Sequence, residues 1–68
     1  MEDISIVSST KMIKASYDKD KKELHVIFAT GKIYTYYNVP ENIWINFKMS
    51  KSKGSFFVKN IKGKYLNS

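Results

Sequence analysis

The sequence holds no cysteine and no arginine, and each omission removes a class of chemistry. Without cysteine there is no disulfide, no thiol nucleophile and no thiolate metal site, and a reducing cytoplasm is the expected home. Without arginine there is no planar fork for bidentate contact with a carboxylate, a phosphate or a guanine edge. Histidine occurs once, as His25, in a strand-like stretch with no carboxylate pair at catalytic spacing, so a general base is not expected there. The six acids lie near the N-terminus, among lysines around Asp18 to Glu23, and at Glu41, without metal-ligand spacing. No apolar run reaches the length of a signal or a membrane span. The expectation is a protein with no catalytic residue, no metal, no cofactor and no membrane partner.

What is present is lysine, unevenly placed. Residues 1–47 carry six lysines against six acids and sum to zero. Residues 48–68 carry Lys48, Lys51, Lys53, Lys59, Lys62 and Lys64 with no acid, interleaved with Phe56, Phe57, Ile61 and Tyr65, so all six net positive charges fall in the last third. Lysines act as mobile point charges, which suits a row of phosphates better than sequence readout. The bland use of the same residues is solubility. At 68 residues the chain is read as a single domain over 1–68, with ten aromatics to supply a dense core.

Alternation predicts three antiparallel strands, over about 11–17, 23–29 and 32–39. In the first, Ile13, Ala15 and Tyr17 are expected inward. The all-charged run Asp18 to Lys22 reads as a solvated turn. In the second, Leu24, Val26 and Phe28 share one face. Ala29-Thr30-Gly31 is read as a three-residue loop with Gly31 at positive φ, because Thr is a poor first residue for a type I′ turn. That register sets Val26 opposite Tyr34 and Leu24 opposite Tyr36, and places Lys32 and Tyr37 nearer the open face. Pro40 starts a helix over about 40–49 that lays Trp44 on the sheet. Ser52 caps a second helix over about 53–62, with Phe57 and Ile61 inward and Gly63 as its stop. The fold class is therefore α+β, a three-stranded sheet followed by two helices on one face.

With these elements placed, Val7-Ser8-Ser9, Ile13 to Asp18, Leu24-x-Val26-x-Phe28-x-x-Gly31, Tyr34-x-Tyr36, Val39-Pro40 and Ser52-x-Gly54-Ser55-Phe56-Phe57 with Ile61 together resemble the KTSC domain. The resemblance covers about residues 7–65. Lys62 stands where that pattern often has arginine. The family takes its name from the C-terminus of some lysyl-tRNA synthetases and also occurs as stand-alone small proteins in bacteria and phages. What the resemblance implies is this fold and an association with RNA.

Three groups of residues are candidates for binding. Ser50 to Ser55, with Lys51, Ser52, Lys53, Gly54 and Ser55, puts hydroxyls, backbone N–H groups and ammonium groups at a helix start, which suits either a phosphate or plain capping. Lys59, Lys62 and Lys64 extend a basic face from there. Tyr34 and Tyr36 are read either as stacking platforms for unpaired bases or as core residues with hydroxyls at the rim, and the register favours the core. The expected function is a non-catalytic module binding RNA or another phosphate-bearing ligand. A protein-interaction module, such as a phage-encoded factor docking on a host protein, and a binder of small anions such as nucleotides remain alternatives. The oligomeric state is open.

Overall fold

Four strands and two helices succeed one another in the computed structural model, which describes residues 1–7 and 9–68: β1 (Glu2–Ser5), β2 (Met12–Asp18), β3 (Glu23–Phe28), β4 (Ile33–Tyr36), α1 (Glu41–Met49) and α2 (Lys53–Asn60). The strands lie in chain order in one antiparallel sheet, so the class is α+β, with four strands where the sequence predicted three. The extra strand is β1, paired with β2 from Glu2 opposite Tyr17 to Ser5 opposite Lys14. It escapes a reading by alternation because Glu2-Asp-Ile-Ser holds a single apolar residue. Its anchorage comes from elsewhere in the chain: the Glu2 carboxylate accepts from the Trp44 indole N–H at 2.8 Å and from Lys48 Nζ at 2.7 Å.

The β3–β4 hairpin follows the expected register, with Val26 opposite Tyr34 and Leu24 opposite Tyr36. Phe28 N–H donates to the Lys32 carbonyl at 2.9 Å across a three-residue loop, and Gly31 sits at φ +93°. A side chain there would be strained by its own backbone. Two placements differ from expectation. Ile13 is 51% exposed, because a bulge between Met12 and Lys14 inserts one extra residue and hands the inward position to Met12. Lys32 falls in step with Tyr34 and Tyr36, on the side of the sheet that carries the helices, while Tyr37 takes the opposite parity.

β4 is shorter than the predicted 32–39 because Asn38 turns left-handed at φ +59°, after which Val39 N–H donates to the Lys22 carbonyl at 2.9 Å. Pro40 caps α1, which buries Trp44 and Phe47. The Ser52 hydroxyl accepts from Ser55 N–H at 3.4 Å and starts α2, which ends at Asn60, short of the predicted 62. Gly63, at φ +77°, lets the chain turn back. Residues 66–68 then run beside β4: Asn67 bridges Tyr36, and Ser68 and Thr35 exchange backbone hydrogen bonds at 3.0 and 3.3 Å. This tail closes one sheet edge.

The core lies between sheet and helices and divides by aromatic partners. Under α1, Trp44 stacks on Tyr17 at 5.4 Å and touches Phe47, which meets Phe56. Under α2, Phe57 packs edge-on against Phe28 and Tyr36, and Phe28 packs edge-on against Tyr34. Phe57 and Ile61 point inward and the neighbouring Phe56 is half-buried, the division that adjacent helical residues require.

Candidate functional site

The second aromatic cluster does not close over itself. Where α2 crosses the ends of β2, β3 and β4, the surface is indented by three depressions that share walls. The first, about 560 Å³, lies between Ser9, Thr10 and Lys11 on one side and Gly54, Ser55, Val58 and Lys59 on the other. A narrower one of about 120 Å³ shares Ser9, Lys11, Gly54 and Val58 with it and adds Phe28, Phe57 and Lys62. The third, about 520 Å³, shares Phe28, Phe57 and Lys62 with the second and continues past Tyr34, Tyr36 and Lys32 to Gly63 and Asn67. Together they form one trough along α2, with aromatic residues lining its second and third parts.

Local structure explains why each wall stands where it does. The Ser9 hydroxyl accepts from Lys11 N–H at 3.1 Å and Met12 N–H at 3.3 Å, folding the segment before β2 into a turn that holds Lys11 at the rim. Opposite it, a β-carbon at Gly54 would lie 3.6 Å from that hydroxyl, an ordinary van der Waals distance, so α2 passes close to the Ser9 turn at this end of the trough. At the far end the turns around Gly31 and Gly63 carry Lys32 and Lys62 to the mouth. Burial pushes the pKa of the Tyr36 phenol up, with a further contribution from Tyr34, so it stays a neutral hydroxyl at ordinary pH.

The sequence candidates part company here. Lys59, Lys62, Gly54, Ser55, Tyr34 and Tyr36 line the trough. Tyr36 is nearly buried and Tyr34 half-buried, so both belong to the helix-covered face while presenting part of their rings to the third depression. Lys53 is committed elsewhere, its ammonium donating to the Ser50 carbonyl at the end of α1 at 3.0 Å. The Ser52 hydroxyl is engaged in capping. Lys51 and Lys64 are exposed and line none of the three depressions. Lys48, the first of the acid-free segment, is paired with Glu2 and lies over the Trp44 ring at 5.5 Å.

Residues that sequence reasoning passed over complete the site: Ser9, Thr10 and Lys11, then Phe28, Thr30 and Lys32, and finally Asn67. Lys32 had a signal, its even spacing with Tyr34 and Tyr36. Lys11 and Asn67 had none, since only the folded chain brings them to α2. Among the described residues no group of three or more His, Cys, Asp or Glu could hold a metal ion, and no helix is long and apolar enough to cross a membrane.

Of the residues that carry the resemblance, Ser9, Phe28, Tyr34, Tyr36, Gly54, Ser55 and Phe57 all face this trough, while Ser8 lies outside the described residues. A family model, that of the KTSC domain, matches residues 8–65. Over 50 residues, 74% of the chain, the sequence is 36% identical to a lysine–tRNA ligase of Nostoc punctiforme. The chain spans 9% of the length of that curated relative. The crystal structure of a KTSC domain protein from Yersinia pestis matches with a TM-score of 0.91 at 34% identity, over 98% of this chain and 93% of that one. The chain therefore belongs to the KTSC domain family.

Proposed function

We propose that this protein is a non-catalytic, cytoplasmic module that binds single-stranded RNA or other nucleic acid along the α2 trough, by neutralising phosphates with little sequence preference. The observation that carries this reading is that Lys11 and Lys32, from the charge-balanced body, line one trough with Lys59 and Lys62, from the basic segment, and that aromatic rings line two of its three parts. Point charges along a groove and π faces at its base are the combination that single strands need. Similarity to part of a lysine–tRNA ligase supports the same reading.

Titration of a short labelled single-stranded RNA, followed by fluorescence anisotropy, tests it. With four lysines each displacing counterions at a single-strand slope of roughly 0.7, affinity is expected to fall about 50-fold between roughly 50 and 200 mM salt. The triple variant K11E/K59E/K62E should abolish binding, whereas K51E/K64E should weaken it only slightly. Absence of measurable binding at low salt, or equal losses in the two variants, overturns the proposal.

A second reading, a protein-interaction module, draws on the opposite side of the sheet, where Ile27 and Ile33 are cross-strand partners and Ile33 is 62% exposed. A nuclease-resistant protein partner lost on Ile33→Lys but kept in the lysine variants would favour it.

A further inference from the structure

Resting on that reading, we infer that the third depression is a base pocket, receiving one unstacked base of a bound single strand against Tyr34 while Lys32 and Lys62 hold the flanking phosphates. The volume of about 520 Å³ is within the range of small-molecule sites, and the chemistry of its lining is divided in the way a nucleotide is divided. Phe28 and Tyr34 stand at 89° to each other with centroids 5.4 Å apart, so a flat ring laid parallel to Tyr34 meets Phe28 as an edge, the favoured aromatic geometry. The lining also holds polar residues, Thr30, Lys32, Lys62 and Asn67. The Thr30 hydroxyl and the Asn67 amide offer donors and acceptors to the edge of a base, and the two ammonium groups come from turns on either side of the mouth.

The neighbouring features separate a strand from a free nucleotide. The trough continues beside Phe57 through a narrow passage bordered by both Lys62 and Lys11, and on to Lys59, so the lysine row extends past the depression that holds the base. A ligand that uses the whole lysine row is therefore a chain of phosphates with a base turned inward. Asn67 is held for this task by the tail's bridge to Tyr36, which fixes its backbone beside the pocket.

Two measurements test the pocket apart from the trough. The wild-type protein is titrated with a short oligouridylate and with an abasic ribose-phosphate oligomer of equal length. The abasic oligomer is expected to bind about 5- to 150-fold more weakly, the worth of one base–aromatic stack, with an unchanged salt slope. Tyr34→Leu, which keeps apolar bulk without a π face, should reproduce that loss for oligouridylate and leave the abasic oligomer unaffected. Since the first comparison alters only the ligand, a folding defect in the variant cannot mimic it. Equal affinity for the two oligomers overturns the base pocket while leaving phosphate binding intact. Failure of both oligomers to bind at low salt overturns the pocket and the proposed function together. Uridine monophosphate binding as tightly as the oligomer overturns the strand in favour of a single nucleotide.

Discussion

Glu2 ties the edge strand β1 to α1. Its carboxylate is shared between the Trp44 indole and the Lys48 ammonium, and these hydrogen bonds, Lys48 first, hold its pKa below the ordinary 4.5. Asp3 next to it is also lowered, chiefly by the hydroxyl of its cross-strand partner Ser16. A carboxylate depressed in the folded state stabilises above its unfolded value, and the contribution is lost as pH falls through the folded value. Stability should therefore be level near neutrality and decline below about pH 4.5. Glu2→Gln should lower the melting midpoint at pH 7 and narrow the gap between pH 7 and pH 3, Asp3 keeping part of it. An unchanged gap would show that Glu2 does not anchor β1.

At the level of elements, α2 depends on a short stretch of signals that were readable in the sequence. Ser52 caps it, Phe57 and Ile61 bury its inner face and Gly63 ends its turn. The capping bond is long at 3.4 Å, so Ser52→Ala should cost about 0.5 to 1 kcal/mol in urea unfolding, at the low end for N-caps. A loss much above that would mean that the hydroxyl does more than cap. The hairpin was equally readable, because Gly31 and the Leu24-Val26-Phe28 row jointly fix one register. Two of the departures from the sequence reading, β1 and the outward Ile13, have non-local causes. The β1 strand is stabilised by α1 residues more than forty positions away, and the bulge at Ile13 is imposed by the pairing of Met12 with Phe28. Neither leaves a local period to be read.

For the whole molecule, segregation of charge along the chain does not survive folding. Of the six lysines in the acid-free segment, Lys48 pairs with an acid from β1 and Lys53 serves the end of α1, while Lys59 and Lys62 join Lys11 and Lys32 from the balanced portion. Composition located the basic helix, but the partners across the trough required the fold. The two halves of the core also differ in the surface they meet: the half under α2 opens into the lysine-lined trough, and the half under α1 meets a separate depression through Tyr17, beside Glu2, Asp18, Asp20 and Glu41. Trp44 is the only tryptophan of the chain, and neither its ring neighbours Tyr17 and Phe47 nor Glu2 and Lys48 line the trough. A strand filling the trough should raise the melting midpoint without moving the emission maximum of the folded protein. A shift in that maximum on binding would instead place the ligand on the α1 side. The chain thus carries an intrinsic optical reporter outside the lining of its own candidate binding surface, so the position of its emission maximum follows unfolding in the presence of ligand.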